Sequence, residues 1–202
     1  MQSHVMFVCA MNVCRSPLLA ATFHQSLLPS MRTDWSVLSC GTHAAVGARI
    51  CEVAASLIER TDDSHSAAPV VVEQVRDCDL ILTATLAERA TLARLAPALR
   101  SRTFTLREAI MLARLPTQPL WMPEPEVGAG PARRYAALLN AGRGLATPEP
   151  PRSRLRRRKE AHPLDIADVH LLKPRAHLTG LKAAQHDASE IARHISAFAV
   201  GP

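Results

Sequence analysis

Aromatic residues make up only 3% of this 202-residue chain, with a single tyrosine. That scarcity removes the stacking surfaces on which single-stranded nucleic acids are held. No run of about 18 apolar residues occurs, so no membrane span is expected. The N-terminus lacks a basic segment followed by a long apolar one, so no secretory signal is read. The pattern Gly-x-x-x-x-Gly-Lys-Ser/Thr is missing, which disfavours a nucleotide-binding loop of that class. Five cysteines without secretory context point to thiol chemistry in a reducing cytoplasm rather than to a disulfide scaffold. Cys9 and Cys14 lie across a turn with no second pair at finger spacing, so zinc is disfavoured and no metal or cofactor is expected. No internal repeat is found.

What is present suits one well-buried domain over residues 1–202, with 48% hydrophobic residues. Short apolar runs at VMFVC (5–9), WSVLSC (35–40), DLILTA (79–84) and RTFTL (102–106) read as strands. Between them SPLLAATFHQSLL (16–28), CEVAASLIER (51–60) and LAERATLARLA (86–96) read as helices. Strands alternating with helices imply an α/β fold, a four-stranded parallel sheet with helices on both faces. Leu181, Ala184, Ala188, Ile191, Ile195 and Phe198 recur at helical steps and predict a last helix packed on that sheet. From about 115 to 161 the composition turns to proline, glycine and arginine, with PARRYAALLNAGRG a helix in its middle; this stretch reads as an insertion or mobile arm. The net charge of +6 is concentrated in Arg152, Arg154, Arg156, Arg157, Arg158 and Lys159, which follow TPEPP and read as a solvated loop rather than a nucleic-acid site.

The chemistry lies in CAMNVCRSP at 9–17. An apolar strand ends at Cys9, and Pro17 opens a helix, so Cys9 to Ser16 is a strand-to-helix turn whose N–H groups curl toward a helix N-terminus. Such a turn binds anions, and it stabilises a thiolate at its mouth. Arg15 stands at the far end of the cradle, and its planar fork can bind two oxygens of a tetrahedral oxyanion. Asn12 tolerates the left-handed backbone that turns N–H groups inward. Thiolate, oxyanion cradle and guanidinium together describe in-line attack on phosphorus.

CAMNVCRSP resembles the phosphate-binding loop C-x-G-N-x-C-R-S-P of the low-molecular-weight protein tyrosine phosphatases. SCGT (39–42), DSHSAAPV (63–70), CDLILTAT (78–85), RTFTLREA (102–109) and LDIADVH (164–170) match later segments of that family, in order. The resemblance implies a three-layer sandwich of the phosphotyrosine phosphatase I type. It also implies a metal-free phosphomonoester hydrolase acting on phosphotyrosine through a phosphocysteine. Cys9 would be the nucleophile, Arg15 the phosphoryl ligand and Asp168 the general acid, with Asp165 close enough to compete for that last role. The cradle would be Ala10, Met11, Asn12, Val13, Cys14, Arg15 and Ser16. Ser39 and His65 would support Asn12, Ser16 would stabilise the thiolate, and Cys14 would be the redox partner that closes a protective disulfide on Cys9. Cys40, Cys51 and Cys78 read as structural. The implied partner is a phosphotyrosine-bearing protein, a bacterial tyrosine kinase or polysaccharide-export component.

Departures from the family pattern fall on the substrate wall. Met11 replaces a glycine and either strains the cradle or points away from it. Val169 replaces the proline after the acid, His170 an aromatic residue, and Ala68 the arginine of H-x-A-R. Two other readings use the same fold: a non-catalytic phosphate- or phosphoprotein-binding member, and a thioredoxin-coupled arsenate reductase.

Overall fold

The strands are β1 (Ser3–Cys9), β2 (Trp35–Gly41), β3 (Leu80–Thr83) and β4 (Thr103–Thr105), all parallel and ordered β2-β1-β3-β4. The structure is a computed structural model that describes residues 2–58, 65–115, 128–148 and 162–200. Because side chains alternate along a strand, Val5, Phe7, Cys9, Leu80, Leu82 and Phe104 fall in one core and Met6, Val8, Cys40 and Ile81 in another. Near-continuous apolar strands are what a sheet covered on both faces requires. The first face packs against α1 (Arg15–Ser26), α5 (Leu106–Ala113), α6 (Pro131–Ala141) and α7 (Pro174–Val200). The second packs against α3 (Val72–Asp77) and α4 (Leu86–Leu95) through Val75 and Leu92. The expected three-layer sandwich is therefore present.

The apolar stripe of α7 is buried from Leu181 to Ile195 as its periodicity predicts, with Phe198 resting on Tyr135 at 5.2 Å between ring centres. The RTFTL run ends as a strand one residue earlier than expected. Thr105 accepts from the Glu108 N–H while Glu108 accepts from the Thr105 N–H, and this reciprocal cap starts α5 at Leu106. The predicted helix over 51–60 is a single turn, α2 (Glu52–Ala55), its last expected residues lying outside the described ones.

The reading of 115–161 as an arm needs revision in its middle. Helix α6 buries Ala132, Tyr135, Ala136 and Leu139 in the main core, so this part is a structural layer and not a mobile appendage. Its Pro131 start and its apolar residues at helical spacing account for that. The basic run 152–159 lies outside the described residues.

Strand β1 is central, with β2 on one side and β3 on the other, so the chain reverses its winding direction around the C-terminal end of β1. Crevices at such switch points are where open α/β sheets bind ligands. The Cys9–Ser16 turn leaves β1 at that point.

Candidate active site

The loop's shape follows from where its carbonyls go. Thr42 N–H donates to the Cys9 carbonyl at 3.0 Å, His43 N–H to Ala10 at 2.8 Å, Ala45 N–H to Met11 at 3.1 Å, and Cys51 N–H to Val13 at 2.9 Å. The Asn12 carbonyl accepts from His65 Nε2 at 2.9 Å. Five successive carbonyls from Cys9 to Val13 therefore point outward onto the 42–51 segment and His65. In a trans peptide the next N–H points the opposite way, so the N–H groups of Ala10 through Cys14 converge inside the turn. The Asn12 N–H reaches Cys9 Sγ at 3.3 Å, as that geometry demands.

Asn12 is the loop's hub. It is the only described non-glycine residue with positive φ, at 56°, and it is fully buried. Its Nδ2 donates to Ser16 Oγ and Ser39 Oγ, both at 2.9 Å, and its Oδ1 accepts from the Ala68 N–H at 2.9 Å. Ala68 thus contributes through its backbone, which any residue type supplies. Gly41, at the end of β2, was not singled out in the sequence. A Cβ there would lie 2.5 Å from the Ala10 carbonyl oxygen, so only glycine lets β2 pass so close beneath the loop.

Cys9 Sγ lies 3.0 Å from Ser16 Oγ. Arg15 is buried, with Nη1 donating to the Ile166 carbonyl at 3.2 Å and Nη2 pairing with Asp168 Oδ2 at 2.7 Å. Asp165 is engaged elsewhere: its Oδ1 caps the Leu86 N–H at 2.8 Å at the start of α4. Of the two carboxylates, only Asp168 joins Cys9, Met11, Val13, Arg15 and His170 around a cavity of about 640 Å³. Met11 is half-exposed on the rim of that cavity, outside the left-handed region, so the missing glycine leaves the backbone unstrained.

Beside the cavity the structure shows two arrangements that the sequence reading did not contain. Cys14 is joined to Cys51 across a Cα separation of 5.5 Å, whereas Cys9 is a free thiol. Cys14 sits at the N-cap of α1 and Cys51 at that of α2, and the Cys51 N–H bond to Val13 brings the two together. In this structure Cys14 is thus paired with Cys51, which the sequence reads as structural, and not with Cys9. Cys40 and Cys78 are the inert ones, their pKa values pushed by burial to about 12. Second, His170 meets Cys14 Sγ through Nδ1 at 3.0 Å, and His177 Nε2 lies 3.4 Å from the same sulfur. Desolvation, with a smaller push from His170, lowers the His177 pKa. Nothing in the spacing of Cys14, Cys51, His170 and His177 signals their convergence.

This loop-and-arginine geometry at the switch point defines a phosphate-binding catalytic centre of the cysteine phosphatase kind. Residues 4–129 match the profile of the low molecular weight phosphotyrosine protein phosphatases, and the chain belongs to that family. It is a cysteine-dependent protein-tyrosine phosphatase, and neither the phosphate-binding nor the arsenate-reductase alternative is favoured. The chain is 35% identical over 108 residues to the low molecular weight protein-tyrosine-phosphatase Wzb of Salmonella typhi, spanning 50% of this chain and 67% of that protein. A Wzb of Salmonella typhimurium is 34% identical over the same length. The fold is shared with a YwlE mutant from Bacillus subtilis (TM-score 0.61, 16% identity, 97% of this chain and all, 100%, of that one). It is shared equally with Vibrio vulnificus Wzb in complex with benzylphosphonate (TM-score 0.58, 16% identity, 96% and 99% covered).

Proposed function

We propose that this chain hydrolyses phosphotyrosine on proteins by a two-step route through a phosphocysteine on Cys9. In the first step the Cys9 thiolate forms a sulfur–phosphorus bond as the phosphorus–phenolate bond breaks, and Asp168 delivers a proton to the departing oxygen. In the second, Asp168 takes a proton from water, the water oxygen bonds phosphorus, and the sulfur leaves as thiolate. The inward N–H groups of Ala10 to Cys14 and the Arg15 fork hold the equatorial oxygens through both steps. Ser16 holds the thiolate, and Asn12, Ser39 and His65 keep the loop in shape.

The observation that carries this reading is that Cys9, Arg15 and Asp168 line one cavity beneath a loop whose carbonyls all face away. Met11, Val13 and Leu171 give that cavity an apolar wall suited to a phenyl ring. The substrate class is a phosphotyrosine-bearing protein, with a bacterial tyrosine kinase or polysaccharide-export component as the partner, and the site of action is the cytoplasm. Residues 1–202 act as one domain in this proposal, with 115–161 as an insertion that contributes α6.

The test is hydrolysis of p-nitrophenyl phosphate near pH 6 by the intact chain, Cys9→Ser and Asp168→Asn. Turnover should vanish in Cys9→Ser and fall by about 10²- to 10⁴-fold in Asp168→Asn, the usual contribution of general acid catalysis. Turnover that survives Cys9→Ser would sink the assignment.

A further inference from the structure

Cys14, Cys51, His170 and His177 bring one potential ligand atom each to a common point, all within 4.8 Å of one another. We propose that these four residues form a Cys2His2 site for a divalent, borderline-soft cation, zinc before others, that ties the phosphate loop to the segment carrying Asp168.

The distances suit a tetrahedral ion. Zinc bonds of about 2.3 Å to sulfur and about 2.0–2.1 Å to nitrogen place neighbouring ligand atoms about 3.5 Å apart. Cys14 Sγ stands 3.0 Å from His170 Nδ1 and 3.4 Å from His177 Nε2, and Cys51 Sγ stands 3.9 Å from His177 Nε2. The three sulfur–nitrogen distances need adjustments of about half an ångström, for which exposed His170 has room; the larger movement is that of the two sulfurs, which on reduction must part from the disulfide bonding distance of about 2.05 Å to about 3.7 Å. The two imidazoles meet edge to face, with ring centres 5.4 Å apart, and present their nitrogens to the same sulfur. A disulfide gives little reason for that arrangement, since its sulfurs are weak acceptors and need no second imidazole. A cation does, because two thiolates and two neutral imidazoles are the ligand set that selects zinc.

The surroundings are those of a metal site. Cys14 and His177 are buried, and Leu18, Ile50, Ala54, Val169 and Leu181 close an apolar shell around them. The ligands come from the N-terminus of α1, the start of α2, the loop after Asp168 and the first turns of α7. One bound ion would thus tie all four elements at a single point, where the disulfide joins only α1 to α2 and the Arg15–Asp168 pair only α1 to the acid segment. Charge balances within the site: the cation takes the dithiol form, each cysteine releases its proton to water, and the two thiolates neutralise the ion. The disulfide and the metal are alternative uses of the same sulfurs, and passage from the first to the second takes two electrons and two protons from an external dithiol or phosphine, which is itself oxidised.

The test is a cobalt(II) titration of the full chain, reduced with a phosphine and desalted without oxygen. We expect one equivalent bound, with the visible bands of tetrahedral cobalt and thiolate-to-cobalt charge transfer in the near ultraviolet, both displaced by zinc. Cys51→Ser and His177→Ala should lose the charge-transfer intensity or the tetrahedral bands. His170→Ala changes only an exposed loop side chain, which keeps folding out of the comparison, and should weaken zinc binding by at least about 10-fold. Cys9→Ser should bind unchanged, since Cys9 is no ligand. The proposal fails if the reduced chain takes up no tetrahedral cobalt. It also fails if binding survives Cys51→Ser but not Cys9→Ser, which would put the ion in the phosphate cradle. Formation of the Cys14–Cys51 disulfide by a stoichiometric disulfide oxidant such as oxidised glutathione, at the same rate with and without excess zinc, would equally overturn it.

Discussion

Substituting Gly41 by alanine should damage the active site through one methyl group that never touches substrate. The added Cβ would stand 2.5 Å from the Ala10 carbonyl oxygen, 3.0 Å from the Asn12 nitrogen and 3.0 Å from the Met11 carbonyl carbon. All three are backbone atoms, so no side-chain rotation relieves the contact. An ordinary contact begins near 3.4 Å, and about 0.9 Å of separation has to be found. Strand β2 cannot supply it cheaply: the Gly41 N–H donates to Ala68 at 2.9 Å and its carbonyl accepts from Val70 at 3.0 Å, while Cys9 pairs with it in register. The loop must yield instead. Turning the Ala10 carbonyl breaks its bond from the His43 N–H and swings the Met11 N–H of the same peptide off the cradle. Overpacking of this size costs about 1–3 kcal/mol, or a Tm drop of about 2–4 °C per kcal/mol for a chain of this length. Displacement of the donors by most of an ångström should lower kcat/KM for p-nitrophenyl phosphate by about 10²-fold and weaken vanadate binding with it. Gly144→Ala is the control: it has φ of 85°, open space around its Cβ and no contact with the loop. It should cost about 1 kcal/mol of stability and leave turnover alone. Wild-type turnover and vanadate affinity in Gly41→Ala would refute the argument that β2 props the loop.

Three further outcomes are expected. Asn12→Ala places a Cβ residue without a compensating side-chain bond at φ 56° and strands the Ala68 N–H; it should lower Tm by about 4–12 °C and cut turnover by at least about 10-fold, measured by thermal melting and steady-state kinetics. Asp168→Asn removes the carboxylate that competes with an oxyanion for Arg15 and should tighten inorganic phosphate binding by up to about fivefold by calorimetry, an effect that fades with added salt; unchanged affinity would mean that the 2.7 Å pair does not compete. The hydrogen bond from Arg114 holds the Glu190 carboxyl below its ordinary 4.5, so the pair stabilises the fold above that pH, and the contribution is lost as pH falls through the lower folded value. Arg114→Met should therefore destabilise the chain by about 1 kcal/mol or less at neutral pH, Arg114 being largely exposed, and by nothing once the carboxyl is protonated, as denaturant midpoints across that range will register.

The sheet was legible because its strands are short apolar runs, and α7 because its stripe repeats over many turns. Helix α5 was not, since Leu106 to Ala113 follows β4 without a break and only the Thr105–Glu108 cap separates them. Within the site, Cys9, Asn12, Arg15 and Ser16 could be read from one stretch, because the turn that carries them is local. The donors that turn its carbonyls outward come from 42–51 and from His65, and their contribution is mostly backbone, which leaves no residue-type signature. Cys51 and His177 join Cys14 over separations of 37 and 163 residues, and no spacing rule reaches that far.

The departures on the substrate wall have a common physical account. A proline after the acid would stiffen that loop by itself, and Val169 cannot. Val169 is instead buried against Gly180 of α7, so near that a Cβ on Gly180 would stand 2.6 Å from its Cγ1. Packing thereby supplies the rigidity that the backbone lacks, and it fixes the residue next to Asp168. His170, one step further, is anchored on Cys14, whose chain neighbour is Arg15. The acid segment is thus clamped on both sides of the Arg15–Asp168 pair, once by an apolar contact and once through sulfur. His170 makes its contacts within the protein, on Cys14 and edge to face with His177, and Met11, Val13 and Leu171 are the apolar side chains beside it in the cavity lining.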